Sequence, residues 1–159
     1  MYQSLFLRAL QKNKLDRQPI WLMRQAGRYL PEFQEIRKKN KDFIKLCFNP
    51  ELVQEITLQP LKRFELDAAI IFSDILLIPF ALGQNVTFKK NGPILSEFNK
   101  ERFFSTSVNV FKECLDPVYQ SIKQTRGRLD KKKSLIGFVG APWTLIYYMP
   151  VSYTHLRAH

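Results

Sequence analysis

Three short, almost uninterrupted apolar runs, at residues 20–23, 67–72 and 134–139, constrain this chain more than any other feature. Runs of that length without polar alternation are what strands covered on both faces require. Helical patterns separate them. Asn49 and Pro50 open the longest one, a side-chain cap followed by a first-turn proline whose missing N–H costs nothing there. Pro60 is expected to kink or divide that helix before Leu61 and Phe64 resume its apolar face. A short amphipathic helix is expected within residues 1–14. Further helix covers residues 100–124, with a fresh start at Asp116-Pro117. Residues 86–90, followed by Asn91-Gly92-Pro93, read as a strand excursion with a tight turn.

Strand–helix–strand alternation implies parallel pairing through right-handed crossovers, so the expected class is α/β. Three strands close nothing. A (β/α)8 barrel takes about 250 residues, and this chain has 159. The expectation is the N-terminal part of a (β/α)8 TIM-type barrel, incomplete in this chain, with strand edges left open. Residues 1–149 make up that portion. Residues 150–159 are expected to be a non-native tail, similar to translated sequencing-adapter sequence joined to a truncated reading frame. Both histidines, His155 and His159, fall in it. Nothing upstream supplies a third metal ligand, so neither histidine is given a role.

The apolar content of 45% is that of a globular protein, and no window approaches the roughly 18 apolar residues of a membrane span. The first residues lack the basic and long apolar regions of a signal peptide, so a cytoplasmic location is expected. Cys47 and Cys114 lie far apart, suggesting two buried thiols rather than a disulfide or a zinc site. A net charge of +11 raises nucleic acid as a partner. Against that, the lysines at Lys38-Lys39, Lys89-Lys90 and Lys131-Lys132-Lys133 neighbour Asn, Gly or Asp and read as solvated loops. No recognition motif accompanies them. Neither nucleic acid nor a membrane is the expected partner; the excess charge would attract a polyanionic small molecule.

Two features describe a candidate site. In Trp21-Leu22-Met23-Arg24-Gln25-Ala26-Gly27-Arg28-Tyr29-Leu30-Pro31, two guanidinium groups lie four residues apart around a glycine. Arginine forks match carboxylate and phosphate geometry, which suggests an anion-binding loop; two surface arginines opening a helix is the plainer alternative. Asp74 follows directly on a buried-type strand, where (β/α)8 enzymes place their chemistry. It could equally cap a helix at Ile75-Leu76-Leu77. Its apolar flanks should push its pKa upward unless hydrogen-bond donors face it.

Four segments together resemble the uroporphyrinogen decarboxylase family, in family order and at family-like spacing. They are Arg24-Gln25-Ala26-Gly27-Arg28-Tyr29-Leu30-Pro31-Glu32, Thr57-Leu58-Gln59-Pro60-Leu61, Phe72-Ser73-Asp74-Ile75-Leu76 and Gly140-Ala141-Pro142-Trp143-Thr144-Leu145. The resemblance implies a homodimeric (β/α)8 enzyme of porphyrin biosynthesis that needs no cofactor. Its reaction removes the four acetate carboxyl groups of uroporphyrinogen III to give coproporphyrinogen III. It also implies roles. Asp74 would accept hydrogen bonds from the central pyrrole N–H groups, and Arg24 and Arg28 would bind substrate carboxylates. Gln25, Ala26 and Gly27 would complete the loop, Ser73 would contact substrate beside the aspartate, and Tyr148 would bring its hydroxyl near Asp74. Phe43 would line the pocket, with core packing the alternative for it and for Tyr148. The family takes a further hydroxyl residue and a histidine from its C-terminal portion, and this chain contains neither, so the 159-residue product is expected to be inactive or aggregation-prone.

The chemistry suits these residues on its own terms. Decarboxylating an acetate needs an electron sink, and a pyrrole protonated beside the acetate-bearing carbon supplies one. Neither a metal nor pyridoxal phosphate is then required. Two other readings compete. A related barrel branch transfers methyl groups with zinc held by histidine and cysteine, and a non-catalytic carrier would bind tetrapyrrole or nucleic acid without turnover.

Overall fold

The computed structural model describes residues 3–23, 29–89 and 92–149. Helix α1 (Leu5–Leu10) is capped by Ser4, whose hydroxyl accepts from the Leu7 N–H. Helices α2 (Pro31–Lys39), α3 (Phe43–Cys47) and α4 (Pro50–Arg63) lead to strand β1 (Ala68–Ile70). Helix α5 (Leu77–Ala81) and the hairpin β2 (Val86–Lys89) and β3 (Gly92–Leu95) follow. Then come α6 (Lys100–Ser105), α7 (Val108–Cys114), α8 (Asp116–Arg128), strand β4 (Ser134–Ile136) and α9 (Pro142–Tyr148).

The expected parallel pairing is present. Ala68, Ala69 and Ile70 of β1 lie opposite Ser134, Leu135 and Ile136 of β4. Helix α4 feeds β1 and α8 feeds β4, and the two helices pack against each other, α4 also against β1. The hairpin is also where the sequence puts it, with Lys89 opposite Gly92. Gly92 has φ +117°, which only glycine adopts without strain. The core splits into two clusters. One gathers Leu30, Phe33, Leu46 and Ile56; the other gathers Ile44, Cys47, Leu76, Leu77, Ala81, Val86, Leu95 and Leu115. Phe72 packs against both.

Several expectations need correction. Residues 20–23 are not a strand. Ile20 exchanges one backbone bond with β1's entrance, the Asp67 N–H donating to the Ile20 carbonyl at 2.8 Å, and Ile20, Leu22 and Met23 remain exposed. One bond beside uncovered side chains does not make a ladder. Pro60 does not divide α4, which runs through it to Arg63. Packing decides this: Ile56, Thr57, Gln59 and Pro60 are all buried, so tertiary contacts outweigh the lost helix bond. Phe64 is exposed at the C-cap rather than on the apolar face. Lys38 and Lys39 occupy the last turn of α2, where cations complement the helix dipole, rather than a loop. Cys47 is buried, but Cys114 is only half-buried. Among the described residues no helix is long and apolar enough to cross a membrane.

Candidate active site

The β1–β4 ladder begins with the Ser134 N–H donating to the Asp67 carbonyl at 3.0 Å. It ends with the Ile71 N–H donating to the Ile136 carbonyl at 2.9 Å. Phe72, Ser73 and Asp74 then carry the chain from the C-terminal end of β1 into α5. Asp74 is half-buried, and its Oδ1 accepts from the Leu76 N–H at 2.8 Å. Its carbonyl accepts from the Leu77 N–H at 3.3 Å. This closes a local turn ahead of α5, whose N-cap is Leu76 without a side-chain cap bond, so the capping alternative is not met. The turn engages one oxygen of a carboxylate that can accept about four hydrogen bonds. Burial raises the Asp74 pKa, and the bond from Leu76 opposes that rise without cancelling it. Further hydrogen-bond donors, such as the N–H groups of a ligand, would lower it again.

Aromatic rings surround the aspartate's loop. Phe72 meets Phe33 and Phe43 edge-on, each at 5.8 Å between centroids, and Phe43 meets Phe88 at 4.6 Å. The Arg37 guanidinium stands 5.4 Å over the Phe43 ring. Phe43 opens α3, where the Asp42 side chain caps the helix by accepting from the Lys45 N–H. Farther along α3, burial pushes the Cys47 thiol far above its ordinary range; the Asp74 charge adds to the shift and Arg37 opposes it. Phe43 thus serves packing whether or not it also forms a wall.

Tyr148 reaches the same neighbourhood from β4. It ends α9 and packs, half-buried, on the cluster that Phe43, Phe72 and Ile75 also join, while Tyr147 stays exposed. Gly140 allows the approach: a Cβ there would lie 2.8 Å from Leu145 Cδ2 and 3.1 Å from Ile75 Cβ. The buried Gln84 fastens the other end of α9, its Nε2 donating to the carbonyls of Met149 and Ser96, both at 2.7 Å. Phe43 and Tyr148 therefore come from separate elements to one apolar cluster, which Phe72 and Ile75, on either side of Ser73 and Asp74, also join. Ser73 is half-buried beside Asp74. A groove of about 390 Å³ between α1 and β4 touches none of these residues.

Arg24, Gln25, Ala26, Gly27 and Arg28 lie outside the described residues, as do His155 and His159. The chain on either side of the arginine segment is anchored. Upstream, Arg17 donates to both carboxylate oxygens of Asp67 at 2.7 and 2.6 Å, and the Ile20 N–H donates to Asp67 Oδ2 at 2.8 Å. Downstream, Leu30 and Phe33 are buried in the cluster that Phe72 packs against. Arg63 there donates to Glu32 Oε1 through Nε and an NH2 group at 2.9 and 2.6 Å. The residue two beyond Arg28 and the residue two before Asp74 thus share one apolar cluster.

Among the described residues no three histidine, cysteine, aspartate or glutamate side chains converge. Two residues without an assigned role in the sequence reading matter to the site, Thr57 and Gln84. Neither carries a signal in the sequence, since each stands among other polar residues; burial alone turns them into structural requirements.

A desolvated carboxylate just past the C-terminal end of a parallel strand, two residues after a phenylalanine packed among other rings, stands where α/β folds commonly place their ligand sites. The chain belongs to the uroporphyrinogen decarboxylase (URO-D) family, whose sequence model matches residues 1–157. It is 48% identical over 150 residues to the uroporphyrinogen decarboxylase of Chelativorans sp., covering 94% of this chain and 44% of that protein. It is 52% identical over 147 residues to that of Nitrosococcus oceani, covering 91% and 41%. To that of Rickettsia bellii it is 50% identical over 135 residues, covering 84% and 40%. The chain thus spans less than half the length of these relatives. In fold it is similar to a methyltransferase from Methanosarcina mazei, with a TM-score of 0.69 at 16% identity over 94% of this chain and 46% of that one.

Proposed function

We propose that the full-length protein containing this chain removes the four acetate carboxyl groups of uroporphyrinogen III, giving coproporphyrinogen III. The observation that carries this reading is the shared cluster of Leu30 and Phe72, which ties the arginine segment to the loop bearing Asp74. In the proposed complex, the pyrrole N–H groups at the macrocycle's centre donate to Asp74. They oppose the upward push of its burial, and so hold it ionised. Arg24 and Arg28 grip the carboxylates at the rim as bidentate partners. Gln25, Ala26 and Gly27 carry the loop backbone against the ligand. Ser73, Phe43 and Tyr148 complete the wall on the Asp74 side.

The reaction needs no added electron sink. A proton is added to the pyrrole carbon beside the acetate-bearing position, leaving the ring cationic. The carboxylate carbon then leaves as CO2, and the pair from the broken C–C bond neutralises the ring. Protonation of the resulting exocyclic carbon and loss of the ring proton give the methyl product. Asp74 stabilises the cationic ring electrostatically. Arginine, with a pKa above about 12, is a poor proton donor at neutral pH, so Arg24 and Arg28 orient rather than acidify.

The same reading makes the full-length protein a cytoplasmic homodimer of (β/α)8 barrels. Residues 1–149 form the N-terminal portion of the barrel. The 159-residue chain alone lacks the C-terminal hydroxyl residue and histidine and is inactive. Coproporphyrinogen formation by the full-length protein, followed by chromatography of the oxidised porphyrins, is the test. Asp74→Asn should lower turnover about 100-fold, the scale on which preorganised electrostatic groups act. A variant with undiminished turnover, or turnover by the 159-residue chain, would refute the assignment.

A further inference from the structure

We infer that Thr57 is a positioning residue, its hydroxyl setting the height of the Asp74 loop above the strand end. Thr57 lies in the middle of α4 and is 1% exposed. Its Oγ1 donates to the Val53 carbonyl one turn back at 2.7 Å, which spends its only proton and aims a lone pair outward. That lone pair accepts the Phe72 N–H at 2.9 Å. The position of this bond gives it consequence. The ladder to β4 ends with the Ile71 N–H, and Phe72 is the next amide, two residues before Asp74. Among the described residues no strand partner serves it. A helix side chain stands in for one.

Phe72 is also the ring on which Phe33 and Phe43 converge and against which the Leu30 cluster packs. Fixing its backbone therefore fixes the Asp74 loop and the wall leading back to the arginine segment together. Valine has nearly the same shape as threonine but no acceptor. At this site it would leave a buried amide unpaired, and the loop would move to find water or another oxygen. Serine keeps the acceptor and loses only a methyl group.

The inference rests on the proposed decarboxylation for its kinetic half, and its structural half stands without it. Amide hydrogen exchange on the full-length protein should show the Phe72 N–H protected; exchange at the rate of an open loop overturns the inference whatever the enzyme does. In the full-length protein, Thr57→Val should lower kcat for coproporphyrinogen formation about tenfold, as expected when a reacting geometry is loosened. KM should stay within about twofold. Thr57→Ser should recover most of kcat. An unchanged kcat in Thr57→Val, or a Thr57→Ser variant no better than Val, overturns it. Should Thr57→Val fail to fold, the Phe72 amide in the unsubstituted chain still decides. Failure of the unsubstituted full-length protein to decarboxylate uroporphyrinogen would count against the function, not against the Thr57–Phe72 bond.

Discussion

The carboxylates Asp67 and Asp74 lie at opposite ends of β1, and their surroundings push them in opposite directions. Hydrogen bonds from Arg17 hold Asp67 below the ordinary carboxylate range, with the Ile20 N–H assisting against burial. A depressed folded pKa stabilises the fold at pH values above the unfolded value of about 3.9. That contribution is lost as pH falls through the lower folded value. Below about pH 4 the Arg17–Ile20 segment should therefore loosen from β1. Exchange at the Asp67 and Ile20 amides across an acid titration would report it, and Asp67→Asn should erase the dependence. Asp74 is the reverse case: burial raises its pKa, and the Leu76 N–H only moderates the rise. The sequence announced Asp74 because a charge inside an apolar run is conspicuous. It did not announce Thr57, because a threonine on a helix is ordinary until its neighbours across the fold are known.

Among the elements, α4 shows best how local chemistry and packing divide the work. Asn49 Oδ1 accepts from the Leu52 N–H at 3.0 Å, and Pro50 occupies the first turn, as the residue order alone predicts. Asn49→Ala should cost about 1 kcal/mol, measurable as a shift in urea midpoint at constant slope. An unchanged midpoint would mean that α4 is held by packing alone. The opposite lesson comes from Pro60, where the local rule predicts a break and a buried interface with α8 overrides it. The start at Asp116-Pro117 and the hairpin turn at Gly92 were legible because proline and glycine act on the backbone directly.

Over the whole molecule, apolar side chains stand exposed along the two flanks of the β1–β4 pair. Ile20, Leu22 and Met23 stand on the approach to β1, and Phe138, Val139, Trp143 and Ile146 follow β4. Trp143 is 81% and Val139 76% exposed, and faces of this kind promote association. The 159-residue chain by itself should self-associate and bind a hydrophobic dye, whereas the full-length protein should do neither beyond the proposed dimer. Size-exclusion chromatography with light scattering, run at several concentrations, would settle it; a stable, dye-silent monomer would contradict the prediction.

The sequence alone determined the α/β alternation, the helix starts, the hairpin turn and the misplaced charge at Asp74, because each follows from a side chain acting on its own backbone or on the nearest few residues. Only the tertiary structure decided that Ile20 is tied to Asp67 without residues 20–23 forming a strand, and that α4 survives its proline. It alone drew Phe43, Phe72, Ile75 and Tyr148 to one cluster and gave the Phe72 amide a partner in Thr57. Those outcomes depend on which atoms meet across long sequence separations, where burial sets the cost of an unmet hydrogen bond and neighbours in sequence do not.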